Sequence, residues 1–259
     1  YMPTFKPTEI RMMLAAFTAS EANHIHAYSQ LIDTLGLPES EYEAFAEFAE
    51  MREKHEYLFA DRTEHKDGSK RSKIERIALD LAVFSAFGEG MQLFSSFAVL
   101  LSFKRRGLMK GMSTIVEWSL RDESHHVECM IKLFHTLIAE NPKAWTDELK
   151  EAIRQTAKDM VRLEDKFIDL MFSMGPVDGI TPEETKTYIR YTTDRRMIQL
   201  GLKPIYRQKD NPFEWLDEMM TAHTHTNFFE GRSTEYSKGG VTGWDKTPWG
   251  FVSAFEDNA

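Results

Sequence analysis

Apolar residues recur along most of this chain every three or four positions, the period of one helix face, and strand-type alternation is scarce. Gly and Pro stand between long segments rather than at short regular intervals, so the pattern predicts an all-α chain. A first helix opens at Pro7-Thr8-Glu9 and carries apolar positions Met13, Ala16, Phe17, Tyr28 and Leu31 to a stop at Gly36-Leu37-Pro38. A second covers roughly Glu39 to Ala60. The polar run from Thr63 to Lys73 reads as a loop, followed by a long third helix from about Ser72 to Phe103. Arg105-Arg106-Gly107 breaks that helix, and a fourth runs from about Met109 to Ala139, before Asn141-Pro142. Two more are expected near Thr146 to Met174 and Thr181 to Gly201. From Asn211 onward helical character fades, and a Gly-, Ser- and Thr-rich stretch with isolated aromatics reads as a flexible tail. The expected organisation is a helical domain over 1–225 and a tail over 226–259.

One segment changes that picture. Leu81 to Phe103 carries a single charge, Glu89, over a length sufficient to span a bilayer. It also contains Ser85, Gly88, Gly90, Gln92, Ser95, Ser96 and Ser102, and no second such run exists, so it reads as a buried core helix around a carboxylate. The 259 residues, 42% apolar and 12% aromatic, suffice for a sizeable core. Net charge is -9 with both signs intermixed, which leaves no basic stripe for phosphate backbones or anionic lipid. Nucleic-acid and membrane partners are therefore not expected. The single cysteine, Cys129, fits a reducing, cytoplasmic compartment. The opening YMPTFKPTEI has neither a basic region nor an apolar run of the secretory type, and Tyr1 is not an initiator methionine, so residues are expected in front of it.

Candidate chemistry lies in two Glu-x-x-His pairs, Glu21-Ala22-Asn23-His24 in the first helix and Glu123-Ser124-His125-His126 in the fourth. Residues three apart share a helix face, so each pair can present a carboxylate and an imidazole to one point. A lone pair of this kind is usually solvated surface; two, both within apolar helices, are harder to dismiss. Glu89 adds a carboxylate in the most apolar helix, where an ionised group without a partner is strongly disfavoured, and Gly88 and Gly90 beside it imply close approach by other groups. Protonation, or pairing with a buried Arg, would also satisfy it. Carboxylates with imidazoles suit iron or manganese, and a carboxylate can bridge two ions where an imidazole cannot.

The runs EGMQLFSSFAVLLSF, MKGMSTIVEWSLRDESHH, EANHIHAYSQLIDTLG and WLDEMMTAHTHTNFFEGRSTEYSKG closely resemble the small subunit of class I ribonucleotide reductases, and the resemblance covers nearly the whole chain. It implies a ferritin-like helical bundle around a carboxylate-bridged dinuclear metal centre. Glu89, Glu123 and His126 match the family's second-half ligands in order and spacing, and Glu21 and His24 match those of the first pair. Tyr28, one turn beyond His24, matches the radical tyrosine. Asp122 matches the aspartate that hydrogen-bonds the metal-bound histidine and fixes the tautomer of His24, and Phe97 matches an aromatic lining the radical pocket.

The resemblance further implies that the metals generate a radical held on Tyr28 or on the metals themselves. The equivalent then passes through His24 and Asp122 and along the tail to a large subunit that reduces ribonucleotides. Tyr236 in TEYSKG resembles the tail tyrosine of that transfer, and WGFVSAFEDNA resembles the peptide that docks on the large subunit. A homodimer is expected. The metals are two irons on this reading, although the ligand set equally accepts Mn/Fe or Mn/Mn. One feature departs from the family: its first carboxylate ligand lies on an earlier helix, and no residue before Glu21 can take that role, Glu9 being in the same helix. Preceding residues or a second polypeptide are expected to supply it. A ligand-binding Mn/Fe oxidase of the same fold and a ferritin-like metal-storage protein are the competing readings, and Tyr28, Asp122 and the Tyr236 tail speak against both.

Overall fold

The computed structural model describes residues 2–222 except Glu39, Glu41, Tyr42 and 44–46. Among them, regular structure is helical apart from isolated bridges pairing Glu64 with Lys70 and Val177 with Ile180. The longer helices are α1 (Thr8–Leu35), α2 (Ala49–Leu58), α3 (Lys73–Leu81), a π-helical segment (Ala82–Gln92), α4 (Phe94–Arg105), α5 (Lys110–Glu140), α6 (Asp147–Ser173), α7 (Pro182–Gln199) and α8 (Glu214–Ala222). The expected tail 226–259, with Tyr236 and the docking segment, lies outside the described residues.

Local chemistry sets the boundaries. Ser72 caps α3 by accepting from the Glu75 amide at 3.2 Å, while the Glu75 carboxylate accepts from the Ser72 amide at 2.9 Å. Thr181 and Glu184 form the same reciprocal box on α7, with Pro182 in its first turn, and Thr146 caps α6. At the other end of α1, Gly36 adopts φ 69°, the left-handed stop its lack of a Cβ permits.

The long third helix expected from Ser72 to Phe103 is present, but its middle widens into eleven residues of π-helix, and this segment carries Glu89. It is the hub of the fold, packing on α3, α5, α6 and α7 and burying Ala82, Val83, Ala86, Phe87 and Met91. Facing it, α5 buries Met112, Val116, Leu120, Val127, Met130 and Phe134 at helical spacing. This apolar run, within Lys73–Arg105, is the one described helix long and apolar enough to cross a membrane, and 67% of its most apolar window is buried inside the fold. Its hydropathy is that of a core helix.

The end of the described chain also differs from expectation. Helical structure returns after Asn211 as α8, because Phe213 and Leu216 are buried in the main core and anchor that short helix. The connection to it is fixed by Asp194, whose buried carboxylate accepts the backbone amides of Ile205, Tyr206 and Gln208 at 2.6, 2.9 and 2.8 Å.

Candidate metal centre

Five of the side chains singled out by spacing come together where α1, the π segment and α5 meet. The i, i+3 spacing on α1 places Glu21 and His24 on the face toward α5, with His24 Nδ1 3.4 Å from Glu21 Oε2. On α5 the same spacing brings His126 Nδ1 within 3.6 Å of Glu123 Oε2. The two pairs then interleave. Glu123 Oε1 lies 3.3 Å from His24 Nδ1, and Glu21 Oε1 lies 3.2 Å from His126 Nδ1. Each of these carboxylates therefore offers one oxygen to each imidazole, the arrangement a carboxylate needs to bridge two ions.

Glu89 enters from the π segment and completes only one side. Glu21, His24 and Glu123 form one trio of potential ligand atoms within 4.8 Å of one another, and Glu89, Glu123 and His126 form a second. Glu123 belongs to both. The set is hard oxygen donors with borderline imidazole nitrogens, suited to iron, manganese or zinc rather than to soft cuprous ion.

The hydrogen bonding fits a shared cation. Glu21 Oε1, Glu123 Oε2 and His126 Nδ1 are buried and make no hydrogen bond of acceptable geometry despite contacts of 3.2 and 3.6 Å. Buried polar atoms that crowd one another without bonding are costly, and a shared cation removes the cost. The electrostatics agree. Burial, then the neighbouring Glu123 carboxylate, pushes the Glu89 carboxyl up to about 8. Burial disfavours the His126 cation, but Glu123 and Glu21 outweigh it and push the imidazole up to about 10. Contact with His126 lowers the Glu21 carboxyl against the effect of its burial.

Around the centre, His24 turns its other nitrogen outward: Nε2 lies 3.3 Å from Asp122 Oδ2, which also accepts from the Ser20 hydroxyl at 3.0 Å. With Asp122 on Nε2, the tautomer that carries its proton there leaves Nδ1 free to donate its lone pair inward. The Tyr28 hydroxyl is buried without a hydrogen bond of full geometry. Burial pushes its pKa above the ordinary phenol value, Ser119 beside it pulls the other way, and Glu123 adds to the rise. Phe17 packs against His126 with its ring tilted, 4.1 Å between centroids, and Phe97 is buried in the core.

Sequence patterns missed several supporting residues. Ser20 gave no signal beyond lying one residue before Glu21. Glu164, fully buried on α6, takes Lys54 at 2.6 Å and accepts from the Ser95 hydroxyl, and only its place on the apolar stripe four residues beyond Met160 hints at burial. Arg196 donates through Nε to the carbonyl of Gly90 at 2.8 Å, a contact across 106 positions that local pattern cannot reveal.

Residues 1–212 match the family described as "Ribonucleotide reductase, small chain". The chain is 45% identical over 260 residues to a protein of Invertebrate iridescent virus 3 described as "Probable ribonucleoside-diphosphate reductase small subunit", covering 96% of this chain and 68% of that protein. It is 33% identical over 241 residues to the "Ribonucleoside-diphosphate reductase subunit beta" of Chlamydia pneumoniae, covering 91% and 69% respectively. In structure it is similar to a putative class I ribonucleotide reductase from Bacillus halodurans, with a TM-score of 0.74 at 22% identity over 84% of this chain and 78% of the other, a likeness of fold. The chain belongs to the ribonucleotide reductase small-chain family, the small subunits of the oxidoreductase ribonucleoside-diphosphate reductase.

Proposed function

We propose that this chain holds a dinuclear metal centre on Glu21, His24, Glu89, Glu123 and His126, and that it generates an oxidising equivalent on Tyr28 for a large subunit that reduces ribonucleotides. The observation that carries the reading is the pair of carboxylates, Glu21 and Glu123, each in contact with both imidazoles. Glu89 and His126 would hold one ion and His24 the other, with Glu21 and Glu123 each able to serve both. When bound, a redox-active pair supplies the oxidising power to draw an electron from a neighbouring side chain.

The protein's part is positioning and exclusion of water. Tyr28 lies on α1 one turn beyond His24, with its hydroxyl buried and ionisation disfavoured. The phenol therefore keeps its proton while the ring is neutral, and oxidation of the ring must release one electron and one proton together. Ser119 and Glu123 flank the hydroxyl as routes for that proton. Partial burial of the ring against the core shields the radical from reductants. Asp122, with a side chain 38% exposed, joins His24 to the molecular surface and is the exit for the equivalent. Tyr236 and the segment 226–259 carry it onward and dock on the large subunit, a homodimer is the working assembly, and the compartment is cytoplasmic.

The same ligands accept two irons, two manganese ions or one of each. Metal analysis with electron paramagnetic resonance (EPR) of freshly activated protein separates these. The reading is tested by Tyr28→Phe, which removes one hydroxyl from a packed ring. The variant is expected to keep its fold and metal content, lose the tyrosyl signal, and lose nucleotide reduction assayed with added large subunit. Full activity without Tyr28 would overturn the radical assignment.

A further inference from the structure

A π-helix changes its hydrogen-bond register where it rejoins an α-helix, and the carbonyls at that junction lose their partners within the helix. Here the junction lies between Gln92 and Phe94, only a few residues from Glu89. The partly buried side chain of Arg196, near the end of α7, reaches across it. Its Nε donates to the Gly90 carbonyl at 2.8 Å on the π side, and its guanidinium lies 5.4 Å from the Phe94 ring centroid on the α side. Its NH1 is held at 2.8 Å by the side-chain oxygen of Gln199, one turn on. The fit at Gly90 is independently tight. A Cβ there would lie 2.8 Å from Arg196 Nε and 3.2 Å from a methyl of Val127, the neighbour of His126. Only glycine lets α7 and α5 close on the π segment at this point.

We propose that Arg196 is a positioning residue for Glu89: by clamping the Gly90 carbonyl across the π/α junction, it fixes the backbone that aims Glu89 at Glu123 and His126. The inference rests on Glu89 acting as a metal ligand. The clamp acts on the π segment, which brings Glu89 alone to the centre, so its influence falls on the trio of Glu89, Glu123 and His126. A supporting residue that orients a ligand typically contributes tenfold to a hundredfold in metal affinity.

The test is titration of the metal-free chain with Mn(II), followed by EPR well below the melting temperature, which is measured separately. Glu89→Gln identifies which of the two binding steps belongs to Glu89. Arg196→Met is expected to weaken that step by about tenfold or more and leave the other step unchanged. Arg196→Lys, which keeps one donor, is expected to recover part of the loss. Gly90→Ala, which displaces Nε without removing the charge, is expected to reproduce it and carries the same test should Arg196→Met fail to fold. In the Glu89→Gln background Arg196→Met should add nothing, whereas a general loss of stability would add its effect to both steps. Wild-type affinity in Gly90→Ala or Arg196→Met, or equal weakening of both steps, overturns the clamp. Unchanged binding in Glu89→Gln alone overturns the ligand reading of Glu89 and the clamp with it.

Discussion

The two sides of the metal centre are built to different standards. Glu89, Glu123 and His126 stand on the π segment and α5, whose packed faces form the middle of the core, and the side chains of Glu123 and His126 are 5% and 4% exposed. Glu21 and His24 stand on α1, a 28-residue helix that buries Leu14 alone and packs mainly on α5. The Glu21 side chain is 45% exposed, and Met12 and Ile25 on the same helix face solvent. The core side also has the extra carboxylate, Glu89, which has no counterpart beside His24 among the described residues. One side is preorganised by packing; the other is held by a single helix contact and by the shared carboxylates. The difference implies unequal metal binding, tight on the core side and weak on the α1 side.

Removing Glu123, the carboxylate common to both trios, should erase the comparison altogether. Glu123→Ala is expected to weaken binding at both positions by more than about a hundredfold, since a ligand matters more than the groups that orient it. Isothermal titration with Mn(II) reads this, and retention of either step would show that Glu123 is not common to both. Substituting one side at a time should sharpen the contrast. Glu89→Ala is expected to remove the tight step and His24→Ala the weak one, with losses on the order of a hundredfold each. The opposite assignment would mean that α1, not the core, dominates affinity.

Acidity offers a third handle. In the metal-free chain the Glu89 carboxyl is raised from 4.5 to about 8 and the His126 imidazole from 6.5 to about 10. Both folded values lie above the unfolded ones, so both contribute stability that is present at low pH and lost as pH rises. The loss runs through about 8 for Glu89 and about 10 for His126. The melting temperature of the metal-free chain should therefore fall between pH 7 and pH 10, while the loaded chain, whose cations replace those protons, should lose far less. Metal uptake at pH 7 should release a proton from each of these groups, and calorimetry in buffers of different ionisation enthalpy measures it. A flat pH response in the metal-free chain would contradict the crowded-carboxylate description.

How much of this was readable from sequence follows the range of each interaction. The Glu-x-x-His pairs were legible because an i, i+3 spacing is local, and Glu89 because a lone charge in an apolar run demands a partner. The π segment was not, since eleven residues are too few for its wider period to stand apart from 3.6, and the run reads as one long helix. Arg196 was illegible because its pairing with Gly90 is created by α7 packing on the hub, although Gly90 itself signalled a close approach. The return to helix at Glu214 was missed because the buried Phe213 and Leu216 stabilise it, overriding weak local propensity.

The same contrast should appear in stability. Phe87→Ala in the π segment should cost about 3–5 kcal/mol, as a fully buried aromatic. Ile25→Ala on α1, at a position 72% exposed, should stay within about 0.5 kcal/mol by chemical denaturation. A large loss at Ile25 would mean that α1 is covered by another chain in solution.

The most direct test of a shared centre is the EPR spectrum of the chain as Mn(II) is added stepwise. Two ions bridged by Glu21 and Glu123 would sit about 3.5–4 Å apart. The first equivalent should give an isolated-ion signal from the core side, and filling the second position should convert it into an exchange-coupled spectrum. Two equivalents that bind and yet give only isolated-ion signals would place the metals apart and contradict the dinuclear centre.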